Sequence, residues 1–210
     1  MRKIMFNDRY GLTQAVIEGR KTMARRIMNN QSGNLAGCVG FTKNGRAYTY
    51  VRADFDNGIS EDAPYAIGEI VAVAQSYRDV CAGGFEPDAT ILRLFEEQRI
   101  AGWTNKMFTK AELMPYQIRI TGIKCERLQD ISDAECMKEG VVGGIIGYYV
   151  PGIKCKDWSK ESYVDTEDGR TWKLFPTPRE AFASLIDKVS GRGAWARNPW
   201  VVVYEFELVK

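Results

Sequence analysis

Lys21 is the residue in this chain best placed to do chemistry. It sits in Gly19-Arg20-Lys21-Thr22-Met23-Ala24-Arg25-Arg26, four cations in eight residues with no acid. Like charges at Arg20, Arg25 and Arg26 disfavour its ammonium form, and a lysine with a lowered pKa can serve as a base or nucleophile. Glu139 is a candidate acid in its own right. It falls in the last turn of a predicted helix, just before Gly140, where the negative end of the helix dipole makes it hold its proton longer, as a general acid must. The sequence has no histidine, so imidazole catalysis, Ser-His-Asp or Cys-His machinery and histidine-ligated metals are all excluded. The same residues also suit binding without turnover. Arg20, Lys21, Thr22, Arg25 and Arg26 can contact phosphates, Tyr77 and Trp103 can stack on a base, Asn105 can read a base edge, and Lys106 and Arg119 add two more cations. Plainer roles stand beside these: Arg20 and Lys21 as cations at a helix C-terminus, Glu139 as a solvent-facing acid, and Trp103 and Trp200 as core residues.

Charge is distributed unevenly along the chain. Residues 1–52 hold ten Lys/Arg and two Asp/Glu, and residues 53–210 hold nineteen and twenty-five, so the overall +2 conceals a basic N-terminal quarter. That asymmetry points to an anionic partner, nucleic acid first, with a solvated surface as the simpler account. With 45% hydrophobic and 27% charged residues in 210, the chain reads as one domain with its own core. No apolar run reaches membrane-spanning or signal-peptide length, which implies a cytoplasmic protein with no membrane partner. Cys38, Cys81, Cys125, Cys136 and Cys155 are odd in number and widely spaced, which argues against a disulfide framework and a zinc site. No metal or other cofactor is expected.

The elements that must position these residues follow from periodicity and caps. Lys3–Phe6 reads as a first strand. Leu12, Val16 and Ile17 form one helix face that stops at Gly19. Lys43-Asn44-Gly45-Arg46 reads as a hairpin turn between Cys38–Phe41 and Ala47–Ala53, which would gather Tyr48, Tyr50 and Arg52. Ile67–Ala74 reads as a continuous buried strand, residues 80–88 as a loop, and Pro87 as the start of a helix carrying Ile91, Leu94 and Phe95. In the strand Gln117–Glu126 the apolar phase changes at Gly122, which predicts a β-bulge. Ser132–Glu135 and Thr177–Glu180 are capping boxes, the second opening a helix with Phe182, Leu185, Ile186 and Val189 inward. The closing strand, Trp200–Val209, places Val202, Tyr204, Phe206 and Leu208 on one face and Glu205 and Glu207 on a wet one. Residues 141–176 read as an irregular insertion with a turn at Glu167–Gly169. No βαβ repeat or glycine-rich phosphate loop is present, so the expected class is α+β: a small mixed β-barrel with flanking helices.

Four segments, in order, resemble the ASCH domain family, a relative of the PUA RNA-binding fold, and its phage-like members in particular. They are Gly19–Arg26 after a short helix, Tyr65–Val73, Arg119–Gly140, and Phe182–Leu208 with Asn198-Pro199-Trp200. The resemblance implies one PUA-like barrel over residues 1–210, with insertions at 28–64 and 141–176 and a cleft beside the basic segment. It implies a partner that is RNA or a nucleotide or nucleoside. One branch of the family hydrolyses an acylated cytidine with a Lys, Thr, Glu set. The lysine matches Lys21 and the glutamate Glu139, while the threonine position is Ala24 here. Gln75 stands where phage-like relatives carry a glutamate. Three functions are therefore open to the chain: RNA or nucleotide binding through the Gly19–Arg26 loop, amide hydrolysis on a modified nucleoside by Lys21 and Glu139, and protein interaction without a nucleic-acid ligand.

Overall fold

The computed structural model describes residues 1–28, 35–41, 46–51, 62–83, 89–96 and 101–209. Its centre is a five-stranded mixed sheet in the order β1-β6-β7-β12-β2. The strands are β1 (Lys3–Ile4), β2 (Met23–Ile27), β6 (Ile70–Val73), β7 (Gln117–Arg127) and β12 (Trp200–Leu208), and only β1 with β6 is a parallel pair. The fold class is thus α+β. Among the described strands the sheet is not a closed barrel: β1 and β2 remain edges. Strand β1 lasts two residues because Asn7 caps a 3-10 turn at Asp8–Tyr10. The edges nevertheless approach, and Arg26 of β2 donates to the Met5 carbonyl at 2.6 Å.

The bulge expected in β7 is present. Glu205 of β12 faces Gly122 and Phe206 faces Ile120, so Thr121 is the extra residue. Glycine suits the place, since a Cβ there would lie 3.0 Å from Glu205 Oε2. Strand β12 departs from simple alternation. Val203 and Tyr204 are both fully buried, so both faces of the strand are covered there, and the wet face begins only at Glu205.

The first helix, α1 (Leu12–Ile17), ends as expected. Gly19 adopts φ +72°, and Lys21 N–H bonds back to the Ala15 carbonyl at 2.8 Å. Hence backbone groups cap α1, and neither the Arg20 nor the Lys21 side chain is needed for it. The predicted hairpin pairs β3 (Leu35–Phe41) with β4 (Arg46–Val51), and β5 (Asp62–Ala66) joins them in a second sheet. Lys43, Asn44, Gly45 and Arg52 lie outside the described residues, as do Pro87 and most of the 28–64 segment's loops.

Two readings are corrected. Ile67–Ala74 is not one strand, because the chain turns at Gly68 (φ +80°) between β5 and β6. Residues 80–82 are not loop but the end of α2 (Tyr77–Ala82), whose N-cap Ser76 accepts from Asp79 N–H at 3.2 Å. Beyond α3 (Ala89–Glu96), both predicted caps open helices, α4 (Asp133–Lys138) and α5 (Pro178–Val189); the reciprocal box forms at Ser132–Glu135, whereas at α5 Thr177 caps alone, accepting from Glu180 N–H at 3.2 Å. The 141–176 segment is more ordered than expected. It holds one hairpin of β8 (Val142–Gly143) with β9 (Tyr148–Tyr149) and another of β10 (Tyr163–Asp165) with β11 (Thr171–Lys173), the second turning at Gly169 as predicted. A four-residue helix, α6 (Ala194–Arg197), precedes β12. One core unites Ile4, Val71, Ile118, Val201 and Phe206 of the sheet with Leu12 and Val16 of α1 and Phe182 and Leu185 of α5. Among the described residues no helix is long and apolar enough to cross a membrane.

Candidate functional site

Lys21 and Glu139 do meet, across 118 positions of sequence. Lys21 Nζ donates to Glu139 Oε2 at 2.6 Å, to the Glu139 carbonyl at 2.9 Å and to the Met23 carbonyl at 2.7 Å. The meeting depends on Gly140, which ends α4 at φ +105°, where a Cβ would come within 2.9 Å of Leu12 Cδ2. Glycine lets the end of α4 close against α1 and the Lys21 stem.

The pair belongs to a larger cluster. Arg25 NH1 reaches Glu139 Oε1 at 3.0 Å, and Arg25 NH2 reaches Glu126 at 2.6 Å and Glu135 at 3.2 Å. Lys124 bonds Glu126 at 2.8 Å and Glu135 at 2.6 Å. Three cations thus face three carboxylates with no net charge. Lys21 is 3% exposed and Glu139 4%. Burial pushes the Lys21 ammonium below its ordinary pKa, and the adjacent Glu139 charge opposes that. The ammonium has three protons and all three are donated to protein oxygens. In this arrangement Lys21 has neither a free lone pair nor a surface to present to a substrate, and its visible work is to lock β2 to α4.

The other predicted site residues are dispersed. Thr22 accepts from Phe206 N–H and donates its own N–H to the Lys138 carbonyl, both at 3.0 Å, so its backbone bridges α4 and β12. Arg20 is exposed and pairs with Glu18, Nε to Oε2 at 2.7 Å. Arg26 is exposed on the edge strand. Tyr77 is buried against Gly102, and its hydroxyl accepts from Lys110 N–H at 3.0 Å, so its ring is core rather than a stacking platform. Trp103 packs into the same small cluster. Asn105 caps the 3-10 turn Lys106–Phe108 by accepting from Met107 N–H. Lys106 donates to the Phe6 carbonyl, to Asp8 at 2.8 Å and to Thr13 at 3.1 Å, which ties that turn to the stretch running from Phe6 into α1. Arg119 pairs with Glu207 on the surface at 3.1 Å.

What these residues leave open lies beside them. A cleft of about 860 Å³ runs between α1 and the two hairpins of the 141–176 segment. Gln14 and Arg20 form one side, and Tyr149, Trp172, Asp165 and Arg170 the other. Val164 and Trp172 are cross-strand partners, so both side chains project from one face of their hairpin into the cleft. The β8–β9 turn adds Ile145 and Ile146, fully and three-quarters exposed, on a tip closed by Gly144 N–H to the Gly147 carbonyl at 2.7 Å. Turn tips favour Gly, Asn, Asp and Ser, so two isoleucines there are an apolar lip without a structural purpose of their own. Sequence reasoning passed over this cleft because the segment building it offered no helix or strand period.

Among the described residues no group of three His, Cys, Asp or Glu could hold a metal ion. Burial pushes the Cys125 thiol up to about 11 and the Cys136 thiol to about 12, so neither supplies a thiolate near neutral pH. In comparisons with family models, curated proteins and solved structures, nothing matches this chain.

Proposed function

We propose that this chain is an ASCH-type protein with a PUA-like barrel that binds a nucleotide or the end of an RNA, and that the base enters the cleft between α1 and the hairpins. The observation that carries the reading is the cleft itself: ligand-sized, open, and bordered by Arg20 of the segment that resembles the family signature. Trp172 and Tyr149 offer ring faces for stacking and Gln14 offers an amide to a base edge, while Arg20 and Arg170, paired with Glu18 and Asp168, would have to exchange those carboxylates for a phosphate beside Asp165 and Glu167. The buried Lys21–Arg25–Glu139 cluster then acts as scaffold, holding the Gly19–Arg26 segment beside the cleft. The side-chain bridge from Arg26 to Met5 is in keeping with a barrel closed by side chains where the backbone ladder stops.

The test is calorimetric titration of nucleosides, nucleotides and short RNAs into wild type, Trp172→Ala and Arg20→Ala. Base–aromatic stacking is worth about 1–3 kcal/mol, so Trp172→Ala should weaken binding about 5- to 150-fold. Arg20→Ala should weaken nucleotides and spare nucleosides. Binding that neither substitution touches would remove the ligand from this cleft, and no binding by any of these ligands would end the nucleotide reading.

A further inference from the structure

The β10–β11 hairpin has a second face, and a different pocket lies on it. Lys173, next to Trp172 and so pointing the opposite way, lines a pocket of about 430 Å³ between the 153–161 loop and the end of α5. The pocket gathers Lys154, Lys156, Lys173, Lys188 and Arg192 against two acids, a net charge of +3. Both acids are already committed to structure. Glu161 accepts from Lys173 and from the backbone N–H groups of Lys156 and Asp157, and Asp187 accepts from Trp195 N–H at 2.9 Å. Among the described residues, Lys154, Lys156, Lys188 and Arg192 have no carboxylate partner. Lys188 has a structural reason to be there, because it sits in the last turn of α5 where a cation meets the helix dipole favourably. Lys154, Lys156 and Arg192 have no such reason. All three are exposed, so water screens them in the free protein, and an anion seated among them meets cations that have no carboxylate to give up. The wall is also held in place: Lys173 N–H bonds the Ile153 carbonyl at 2.8 Å, and Ile153 is buried beneath the lysines.

We propose that this pocket is a binding site for phosphate groups in series, an oligophosphate or a stretch of phosphodiester backbone. Several point charges spread around a concave wall suit several phosphates better than one carboxylate. The proposal does not depend on the cleft reading, since the two pockets occupy opposite faces of the hairpin and share no lining residue.

Tripolyphosphate and a short fluorescein-labelled oligouridylate, titrated at several salt concentrations, are the probes. The comparison is wild type against Lys154→Ala/Lys156→Ala/Arg192→Ala, with Trp172→Ala run in parallel. Lys173 is left intact because it holds Glu161. In the triple variant the oligouridylate should bind about tenfold or more weaker at low salt, and its salt slope should flatten by about 2, at ~0.7 per lost phosphate contact. Trp172→Ala should leave tripolyphosphate binding unchanged. Tripolyphosphate binding that the triple variant loses while its oligouridylate binding stays unchanged assigns the pocket to a free phosphorylated ligand; loss of both in the triple variant assigns it to a nucleic-acid backbone. Wild type that binds neither probe at low salt overturns the proposal, and so does a triple variant that binds both as well as wild type. Arg192→Gln, at an exposed position beyond α5, keeps the test decisive if the triple variant melts early.

Discussion

Replacing Glu139 by glutamine keeps its shape and removes its charge, and the structure says what that should do. The carboxylate accepts from Lys21 at 2.6 Å and from Arg25 at 3.0 Å, one oxygen for each cation. A glutamine offers one oxygen and one NH2 group, so one of the two cations meets a donor. The cluster passes from neutral to +1 around a lysine that is 3% exposed. Breaking a buried pair by removing one partner costs about 3–5 kcal/mol. Two charge-assisted hydrogen bonds at about 1.5–3 kcal/mol each give a similar figure. For a chain of this size that is a fall of about 6–20 °C in melting temperature. Urea and thermal unfolding followed by tryptophan fluorescence measure it. Adding Lys21→Met should recover at least half the loss, because the orphaned ammonium is gone while Arg25 keeps Glu126 and Glu135. A drop below about 2 °C for Glu139→Gln would refute the reasoning, since at that size the pair behaves like a surface salt bridge.

Three further outcomes can be measured. Burial raises the Glu135 carboxyl, but bonds from Lys124 and Ser132 N–H and the Arg25 and Lys124 charges outweigh it, taking its pKa down to about 2 from 4.5. A depressed acid stabilises the fold above its unfolded pKa and loses that contribution as pH falls towards 2, so Glu135→Gln should flatten the decline in urea midpoint between pH 5 and 2. Glu161, held to about 2 first by its bond from Lys173, predicts the same flattening for Glu161→Gln. Gly152→Ala should be strongly destabilising: φ is +84° there and a Cβ would fall 2.1 Å from the Arg9 carbonyl oxygen, so a loss of about 1–3 kcal/mol or more is expected in chemical denaturation.

The parts of the fold that sequence made legible were those with local causes. The stop at Gly19, the bulge at Gly122, the Ser132–Glu135 and Thr177–Glu180 caps and the turn at Gly169 each depend on a few adjacent residues, and each is present. Helix α2 had its own signal in Ser76 and Asp79, but the Gly83-Gly84 pair that follows drew the reading towards loop. The meeting of Lys21 with Glu139 came from family resemblance alone. Its burial was beyond local reasoning, because a charge-rich run reads as solvated until its partners on distant elements are known. The basic pocket was hidden for a related reason. Its cations are spread from Lys154 to Arg192 within the acidic part of the chain, so regional net charge had the wrong sign.

The β10–β11 hairpin has only three residues per strand, yet it divides two pockets of opposite character. Because its side chains alternate, pairing register decides which pocket receives Trp172 and which Lys173: Val164 stands opposite Trp172, Tyr163 opposite Lys173. A one-residue slip would carry the indole into the lysine-lined pocket and the ammonium into the aromatic one, exchanging their preferences without altering composition. The turn around Gly169 that sets this register therefore decides what each pocket presents, although it contributes no residue to the lysine-lined pocket. Lengthening or shortening that turn would alter both pockets at once, the cleft directly through Thr166 to Arg170 and the lysine-lined pocket through register alone.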